Sequence, residues 1–558
     1  TTTGTRVLET LLPRRGRSLL TPLVILALLL TGCELPSSGS GSSGSSTTGS
    51  DTGSGTTGVP DLTCTSSPDD ALFANQWHLI NTGQNGAVAG EDANVTPVWA
   101  NCVDGTGVRI ALVDDGLELA HEDLTANVIL GESKNYLDGS DDPSTGEHGT
   151  AAAGIAAAVG NNALGVAGIA PHAELVGFNA VYTGQEADLA DGLSSGLQTV
   201  AVSNNSWGPV DGTGALDAPP ALLADAVATG VTEGRGGLGI VYVWAGGNGG
   251  DAYDPARYDN VNYDGYASSP YVMAICAVGD VGERAWYSER GASLTVCAPS
   301  EGDSGQAITT VDRTGILGYN HGSNGSDYDD ANYTNIFNGT SAAAPLAAGV
   351  AALVLQANPA LSWRDVRLVM AQSARMNSPL DSDWTVNGAG FAFNPNFGFG
   401  VVDGEAAVAL AQTWSVVPTL VEFESGLSTV NTPIDLSTGY TVENTISVSA
   451  SGIDSIEYVV ITFSASDHPY LGDLEVRLTH VDGGMSVLLA EEHLCSGDYY
   501  ELDDPYYPCG PSYNAWAFGA MGFMGEAADG AWTLEVIDRW PTLDSGTFES
   551  WQIRFLGH

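Results

Sequence analysis

Long apolar segments that lack polar alternation recur through the first two thirds of the chain, and they constrain its fold most. Four of them are VRIALV (108–113), AELVGFNA (173–180), GIVYVWA (239–245) and YVMAICAV (271–278). Such runs are typical of parallel strands that are covered on both faces. Stretches rich in Ala and Gly, at 149–159 and 341–357, have the composition of helices that approach a sheet closely. This alternation predicts an α/β fold with a central parallel sheet.

The pattern changes after Trp414, where apolar and polar residues alternate and turn formers separate the runs. Three such runs are DLEVRLTHV (473–481), AWTLEVID (531–538) and FESWQIRF (548–555). A period of two predicts half-buried antiparallel strands, and so an all-β jelly roll or β-sandwich. We therefore divide the chain into four parts, residues 1–33, 34–66, 67–414 and 415–558.

The first of these parts predicts export. Four arginines precede an apolar run, 23–30, that is too short to span a bilayer. The run ends in Leu30-Thr31-Gly32-Cys33, which resembles the cleavage box of bacterial lipoproteins. We expect lipid on Cys33 to hold the protein at a membrane of the cell envelope. Residues 34–66 form a Gly/Ser/Thr-rich linker that behaves as a flexible tether.

The chain is strongly acidic, with a formal net charge of −50 from 67 acidic and 17 basic residues. Such a surface repels nucleic acid and attracts cations, either Ca²⁺ or basic peptides. Solubility in a salty habitat is an alternative that is compatible with both. We expect a monomer that binds no nucleic acid.

Six cysteines follow Cys33, and an even number in an exported chain suggests disulfides. Proximity in the sequence favours Cys495–Cys509 and makes Cys276–Cys297 a candidate pair. Buried free thiols are the alternative.

Three short motifs carry an acid, an imidazole and a hydroxyl, each at the end of a predicted strand or the start of a helix. They are Val113-Asp114-Asp115-Gly116, His148-Gly149-Thr150 and Gly339-Thr340-Ser341. Each motif is weak alone, but the order Asp, His, Ser matches the subtilisin arrangement. Ser341 is then the nucleophile, His148 takes its proton, and Asp114 orients the imidazole. Neighbouring side chains of an extended strand point to opposite faces, so Asp115 is expected to turn away from His148.

Asn248 follows another predicted strand, in WAGGNGG (244–250), and supplies a neutral hydrogen-bond donor. Together with the backbone amide of Ser341, it is expected to form an oxyanion hole.

Residues 67–413 resemble the catalytic domain of kexin/furin-type proprotein convertases within the subtilisin superfamily. The segments that carry the resemblance are VDDGLELAHEDL (113–124), SWGPVDG (206–212), GRGGLGIVYVWAGGNGG (234–250), NYDGYASSPY (262–271), WYSERGA (286–292), GTSAAAPLAAG (339–349), LSWRDVRLVM (361–370) and FGFGVVDGEAAVALAQTW (397–414). Residues 415–558 resemble the P domain of that family, notably at HPYLGDLEVRLTH (468–480) and GAWTLEVID (530–538). The resemblance implies a calcium-dependent serine endopeptidase that cleaves proteins or peptides after basic residues.

The resemblance also assigns a substrate site lined with acids. Asp211 and Asp264 are expected at the pocket for the residue before the scissile bond, and its wall is expected from Ser206, Trp207 and Pro209. Asp115 is expected to face the next basic residue, and Asp217 and Tyr266 a more distant one.

The chain departs from the family just before the catalytic His, where family members often carry another acid. Residues 144–147 read Ser-Thr-Gly-Glu here. The departure favours a requirement for one basic residue over a strict requirement for two.

Calcium is implied as a structural cofactor at two oxygen-rich sets of residues. The first combines side chains and carbonyls of Asp70, Asp123, Asn162, Val159, Leu164 and Val166. The second combines Asp211, Asp259 and Glu289.

Two other functions remain open. One is a subtilisin-like protease of broad specificity, in which the acids serve calcium binding and solubility. The other is a surface-tethered binding protein without catalysis, which the joint retention of Asp114, His148, Asn248 and Ser341 disfavours.

Overall fold

The computed structural model describes residues 64–250, 259–322, 327–468, 470–493, 512–540 and 545–558. The predicted export signal with Cys33, most of the tether, and the Cys495–Cys509 pair lie outside these residues.

A six-stranded parallel sheet organises residues 64–414, in the order β2-β1-β3-β4-β5-β6. Its strands are β1 Arg109–Val113, β2 Glu174–Phe178, β3 Val202–Asn205, β4 Val241–Ala245, β5 Val272–Val278 and β6 Leu294–Pro299. Two short antiparallel pairs accompany it, β7 Ile308–Val311 with β8 Tyr333–Phe337, and β9 Thr385–Val386 with β10 Ala392–Phe393. The predicted α/β fold with a central parallel sheet is confirmed.

The helices of this part are α1 Thr96–Trp99, α2 His148–Ala157, α3 Ala180–Thr183, α4 Glu186–Ser194, α5 Ala221–Glu233, α6 Thr340–Ala357, α7 Trp363–Ser373 and α8 Gly404–Thr413. Helix α6 packs on strands β3 to β6 and on α2. Small residues permit the close approach. A Cβ at Gly349, for example, would lie 2.5 Å from the Ile169 Cβ. Among the described helices, only α6 is long and apolar enough to span a bilayer, and it lies in the protein core.

Two antiparallel sheets organise the described residues after Trp414, which confirms the predicted β-sandwich architecture. One sheet has the order β11-β19-β14-β17, with β12 also paired to β19, and the other has the order β13-β18-β15-β16. The strands are β11 Val421–Glu424, β12 Ser428–Ile434, β13 Thr441–Val448, β14 Ile456–Ser466, β15 Leu474–His480, β16 Met485–Ala490, β17 Tyr513–Ala520, β18 Gly530–Asp538 and β19 Gly546–Gly557.

The α/β part and the β-sandwich contact each other through buried polar groups of the segment that precedes β5. The Asn262 side chain donates to the carbonyls of Leu489 and Gly519, each at 3.1 Å, and accepts from the Gly519 amide at 3.0 Å. The Tyr458 hydroxyl donates to the Ser268 carbonyl at 2.8 Å. Segment 262–268, which includes the predicted pocket residue Asp264, is therefore held in place by the β-sandwich.

Two disulfides lie within the described residues. The predicted Cys276–Cys297 pair is bonded and joins neighbouring strands β5 and β6. A second bond, Cys64–Cys102, was not among the predicted pairings. It fastens the start of the described chain to the residues that precede β1.

Candidate active site

Asp114 and His148 form a buried hydrogen-bonded pair at the carboxyl edge of the sheet. Asp114 is the first residue after β1, and His148 is the first residue of α2. The His148 Nδ1 lies 2.8 Å from the Asp114 Oδ1, and both residues are nearly inaccessible to solvent. The Phe337 ring packs edge-on against the imidazole, with centroids 5.3 Å apart. This arrangement fixes the ring orientation, as a general base requires.

Two opposing effects set the protonation of His148. Burial disfavours the imidazolium, but the charge and hydrogen bond of Asp114 favour it, and the net result raises the pKa of His148 to about 9. Asp115 and Glu147 contribute in the same direction. Because only the neutral imidazole can accept a proton, a base with this environment works best at alkaline pH.

Ser341 is the second residue of α6 and lies against the loop that follows β3. Its hydroxyl donates to the Ser206 carbonyl at 3.3 Å, and the Ser206 hydroxyl donates to the Ser341 carbonyl at 3.0 Å. Within the described part of the chain, no hydrogen bond joins Ser341 to His148. Such bonds are often long in a free enzyme and tighten only when substrate binds.

Asn248 lies just beyond β4, and its side chain is hydrogen-bonded to Thr340, the residue before Ser341. Its Oδ1 accepts from the Thr340 amide at 2.8 Å and from the Thr340 hydroxyl at 3.0 Å. Its Nδ2 lies 3.4 Å from the Asp211 Oδ2, a contact long enough to leave the amide group able to donate elsewhere. The structure thus brings Asn248 to the start of α6, where the predicted oxyanion hole requires it.

The predicted substrate pocket lies beside these residues. The Trp207 indole donates to the Val113 carbonyl at 2.8 Å and packs against the Tyr266 ring, with centroids 5.8 Å apart. Asp217 and Asp264 are bridged through their backbones. Pro209 is half-buried in the loop that follows Trp207.

Asp264 is the most strongly perturbed carboxylate of this pocket. Its Oδ1 accepts from the Tyr266 amide at 2.7 Å and from the Ala267 amide at 3.3 Å. Burial, together with repulsion from Asp211 and Asp217, raises the pKa of Asp264 to about 8. No Lys or Arg of the described residues forms an ion pair with it. A cation brought by a substrate would relieve this repulsion.

The expectation that Asp115 turns away from His148 is wrong. The Asp115 Oδ2 accepts from the His148 backbone amide at 3.3 Å, and its Oδ1 accepts from the Gly149 amide at 2.8 Å. The parity argument failed because β1 ends at Val113, so the two acids do not belong to a regular strand. Asp115 is 8% exposed, and each of its carboxylate oxygens accepts from a backbone amide at the start of α2.

The first predicted calcium set comes together around the loop at 159–166. Asn162 donates to the Asp123 Oδ1 at 2.7 Å, and the Asn161 and Asn162 amides donate to the two Asp70 oxygens at 2.8 and 3.2 Å. Val159, Leu164 and Val166 flank these contacts: their amides donate to the Asp123 carbonyl, the Asn162 Oδ1 and the Asp123 Oδ2, respectively. Burial raises the pKa of Asp70 to about 6, and repulsion from Asp123 adds to this shift.

The second predicted calcium set shares Asp211 with the predicted substrate pocket. The Asp259 Oδ2 accepts from the Gly212 and Thr213 amides at 2.9 and 3.2 Å, and the Glu289 Oε1 accepts from the Gly249 amide at 3.1 Å. Burial, with repulsion from Asp259 and Asp211, holds the pKa of Glu289 well above its usual range. Among the described residues, however, no group of three or more His, Cys, Asp or Glu side chains is arranged so that it could hold a metal ion.

Two residues of the site were not predicted. Thr340 holds Asn248, and Phe337 packs on the imidazole. Thr340 lies inside a predicted motif, so its role could have been suspected. Phe337 is brought to His148 only by the pairing of β7 with β8, which the sequence pattern did not reveal.

A parallel sheet that gathers Asp, His and Ser at one edge, in this chain order, defines a subtilisin-like serine peptidase. Comparison with known proteins agrees. Residues 105–400 match the subtilase family, and residues 457–555 match the proprotein convertase P-domain. The chain therefore belongs to the subtilase family and is a serine endopeptidase with a convertase-type P domain.

Several relatives show the extent of the match. A PC3-like endoprotease (variant B) of Hydra vulgaris is 34% identical over 487 residues, which cover 84% of this chain and 64% of that protein. Neuroendocrine convertase 2 of Homo sapiens is 34% identical over 510 residues, which cover 88% of this chain and 74% of that protein. The solved serine protease of Aeromonas sobria is 27% identical, with a TM-score of 0.77 over 90% of this chain and 99% of its own. The chain thus spans about two thirds of the length of the Hydra relative.

Proposed function

We propose that this protein is an exported, lipid-anchored, calcium-dependent endopeptidase that cleaves after a basic residue. Three neighbouring carboxylates carry the proposal for specificity: Asp264, which is buried, Asp211, which is half-buried, and Asp217, which is exposed. Asp264 lies where Asp211 and Asp217 repel it, and a substrate Arg would supply the missing positive charge. A guanidinium suits such a site because it donates several charge-assisted hydrogen bonds in a fixed geometry.

In the proposed mechanism, neutral His148 takes the proton of the Ser341 hydroxyl as its oxygen attacks the scissile carbonyl. Asp114 holds the imidazole through the 2.8 Å hydrogen bond and stabilises the cation that forms. Asn248 and the Ser341 amide donate to the developing oxyanion, and loss of one such donor typically costs about 2.7–4 kcal/mol. His148 then returns the proton to the leaving amine, and water releases the acyl group by the reverse sequence.

The specificity proposal is tested with peptide substrates that end in Ala-Arg, Arg-Arg and Pro-Phe. Asp264→Asn is expected to lower kcat/KM for the Ala-Arg substrate by about 10- to 100-fold, since a hydrogen bond to a charged group contributes about 1.5–3 kcal/mol. Hydrolysis of the Pro-Phe substrate should change little. Asp225→Asn, at an exposed position of α5, is the matched control and should leave both rates unchanged. Faster hydrolysis of Pro-Phe than of Ala-Arg by the wild type would support the broad-specificity alternative instead.

The first calcium set has the chemistry of a Ca²⁺ site, because two buried carboxylates, Asp70 and Asp123, lie beside the half-buried side chain of Asn162. Neither carboxylate has a Lys or Arg ion pair among the described residues. Asp70, Asp123 and Asn162 would hold the ion, and its charge would offset the repulsion between the two carboxylates. The second set, Asp211, Asp259 and Glu289, is proposed as a further site next to the pocket.

Removal of calcium is expected to destabilise the protein. A ligand at 100 times its Kd contributes about 2.7 kcal/mol to the free energy of unfolding, so a chelator should lower Tm by several degrees. Asp123→Asn should remove the part of this calcium-dependent shift that comes from the first set, and so make it smaller. The control Asp138→Asn, at an exposed position, should retain the full shift. A Tm that is insensitive to both calcium and chelator would contradict the proposal.

A further inference from the structure

The amino end of α2 needs hydrogen-bond acceptors that its own sequence does not supply. The first amides of any helix have no partner within the helix. The residue before α2, Glu147, makes no side-chain hydrogen bond to them. Asp115 supplies the acceptors from outside the helix, with its Oδ1 2.8 Å from the Gly149 amide and its Oδ2 3.3 Å from the His148 amide.

We propose that Asp115 is a positioning residue that fixes the backbone of His148 while Asp114 fixes its ring. The proposal rests on the assignment of His148 as the base. Adjacent carboxylates thus hold the same residue at two points, and the imidazole has little freedom to move away from Ser341. Asp115 is tied down in turn, since the Thr145 hydroxyl donates to its backbone carbonyl at 2.6 Å.

Gly146 provides independent support, because the Asp115 carboxylate occupies the space that a side chain at position 146 would need. A Cβ at position 146 would lie 2.0 Å from the Asp115 Cγ and 2.1 and 2.2 Å from its two oxygens. Any larger residue at 146 would therefore displace the carboxylate from the helix. A substitution at Gly146 can thus move the Asp115 carboxylate while leaving its charge in place.

The charged groups around Asp115 affect the pKa of His148, so an effect on that pKa has to be separated from an effect on kcat. Asp114, Glu147, His148 and the Tyr319 phenol face it. Burial and repulsion from Asp114 raise the pKa of Asp115. Both Asp115 and Glu147 raise the pKa of His148, so the loss of either acid should move the acid limb of the pH–rate profile to lower pH. Only the loss of Asp115 should also lower the alkaline plateau of kcat.

The test compares plateau kcat for the full chain and four variants on the Ala-Arg and Arg-Arg peptides. Asp115→Ala should lower kcat by about 10- to 100-fold on both peptides, since small misplacements of a catalytic group have effects of this size. KM should change little. Asp115→Asn keeps one acceptor oxygen and should lose less. Gly146→Ala should resemble Asp115→Ala although its carboxylate is intact, and Glu147→Gln should keep the wild-type plateau.

Three outcomes would overturn the proposal. One is an Asp115→Asn variant whose kcat falls only on the Arg-Arg peptide, which would mean that Asp115 binds the second basic residue of the substrate. Another is an equal plateau for Asp115→Ala and wild type, and the third is an equal loss for Glu147→Gln and Asp115→Ala. The labelling rate of Ser341 by a fluorophosphonate gives the same comparison without any peptide. A failure of the basic-specificity proposal would therefore leave this test intact.

Discussion

Ser341→Ala is expected to lower kcat by about 10⁶-fold, to a rate near the detection limit for any peptide. The loss should be this large because the hydroxyl forms the acyl bond, and neither His148 nor Asn248 can replace it. The protein should remain folded, since the substitution removes one oxygen at the start of α6. Hydrolysis of an Ala-Arg peptide and labelling by a fluorophosphonate measure the effect.

The matched control for this experiment is Ser206→Ala. Ser206 exchanges hydrogen bonds with Ser341 through its hydroxyl and its carbonyl, so it is the neighbouring hydroxyl most easily mistaken for the nucleophile. Its loss should leave fluorophosphonate labelling in place. If Ser341→Ala were still labelled at the wild-type rate, or hydrolysed peptides as the wild type does, the assignment of the nucleophile would be wrong.

Glu457→Gln is expected to destabilise the protein by about 3–5 kcal/mol, because it leaves buried guanidinium groups without their counter-charge. Glu457 lies at the start of β14 and is fully buried. It accepts from the Arg364 Nε at 2.9 Å and lies 3.9 Å from the Arg367 Nη2, both on α7. The His558 Nδ1 lies 2.8 Å from the Glu457 Oε1. One carboxylate thus connects α7 of the peptidase fold with the sandwich, through β14 and His558.

The free energy of unfolding, from urea titration followed by tryptophan fluorescence, measures this effect. Glu422→Gln is the control, because Glu422 pairs with Arg554 at 3.2 Å on a solvent-exposed surface, where such pairs contribute about 0–1 kcal/mol. Equal, small losses for the two variants would show that the buried pair does not stabilise the contact between the two parts.

The contribution of Glu457 to stability depends on pH, and the direction of its pKa shift sets that dependence. Burial alone would raise the pKa of Glu457, but the hydrogen bond and charge of Arg364 and the charge of Arg367 hold it below its ordinary value of 4.5. A carboxylate with a depressed pKa in the folded state stabilises the protein at pH values above 4.5. The stabilisation should be lost as the pH falls below that value, and the difference between Glu457→Gln and wild type should shrink with it.

Much of the fold was readable from the sequence because local patterns encode it. The apolar run at 108–113 became β1, and the Ala-rich run at 341–357 became α6, each within two residues. The alternating runs after Trp414 became strands of antiparallel sheets. The periods of strands and helices are local properties, so they survive without knowledge of the tertiary structure.

The sequence by itself determined the family, the order of the Asp, His and Ser motifs, and the excess of acidic residues that predicts cation binding. Only the tertiary structure decided which groups the second acid of Val113-Asp114-Asp115-Gly116 contacts. The strand ends before these acids, and the loop at 144–147 and the start of α2 come from a distant part of the chain to meet them. The direction of a side chain beyond the end of a strand depends on which amides lie nearby. That is a property of packing between segments, and no local pattern contains it.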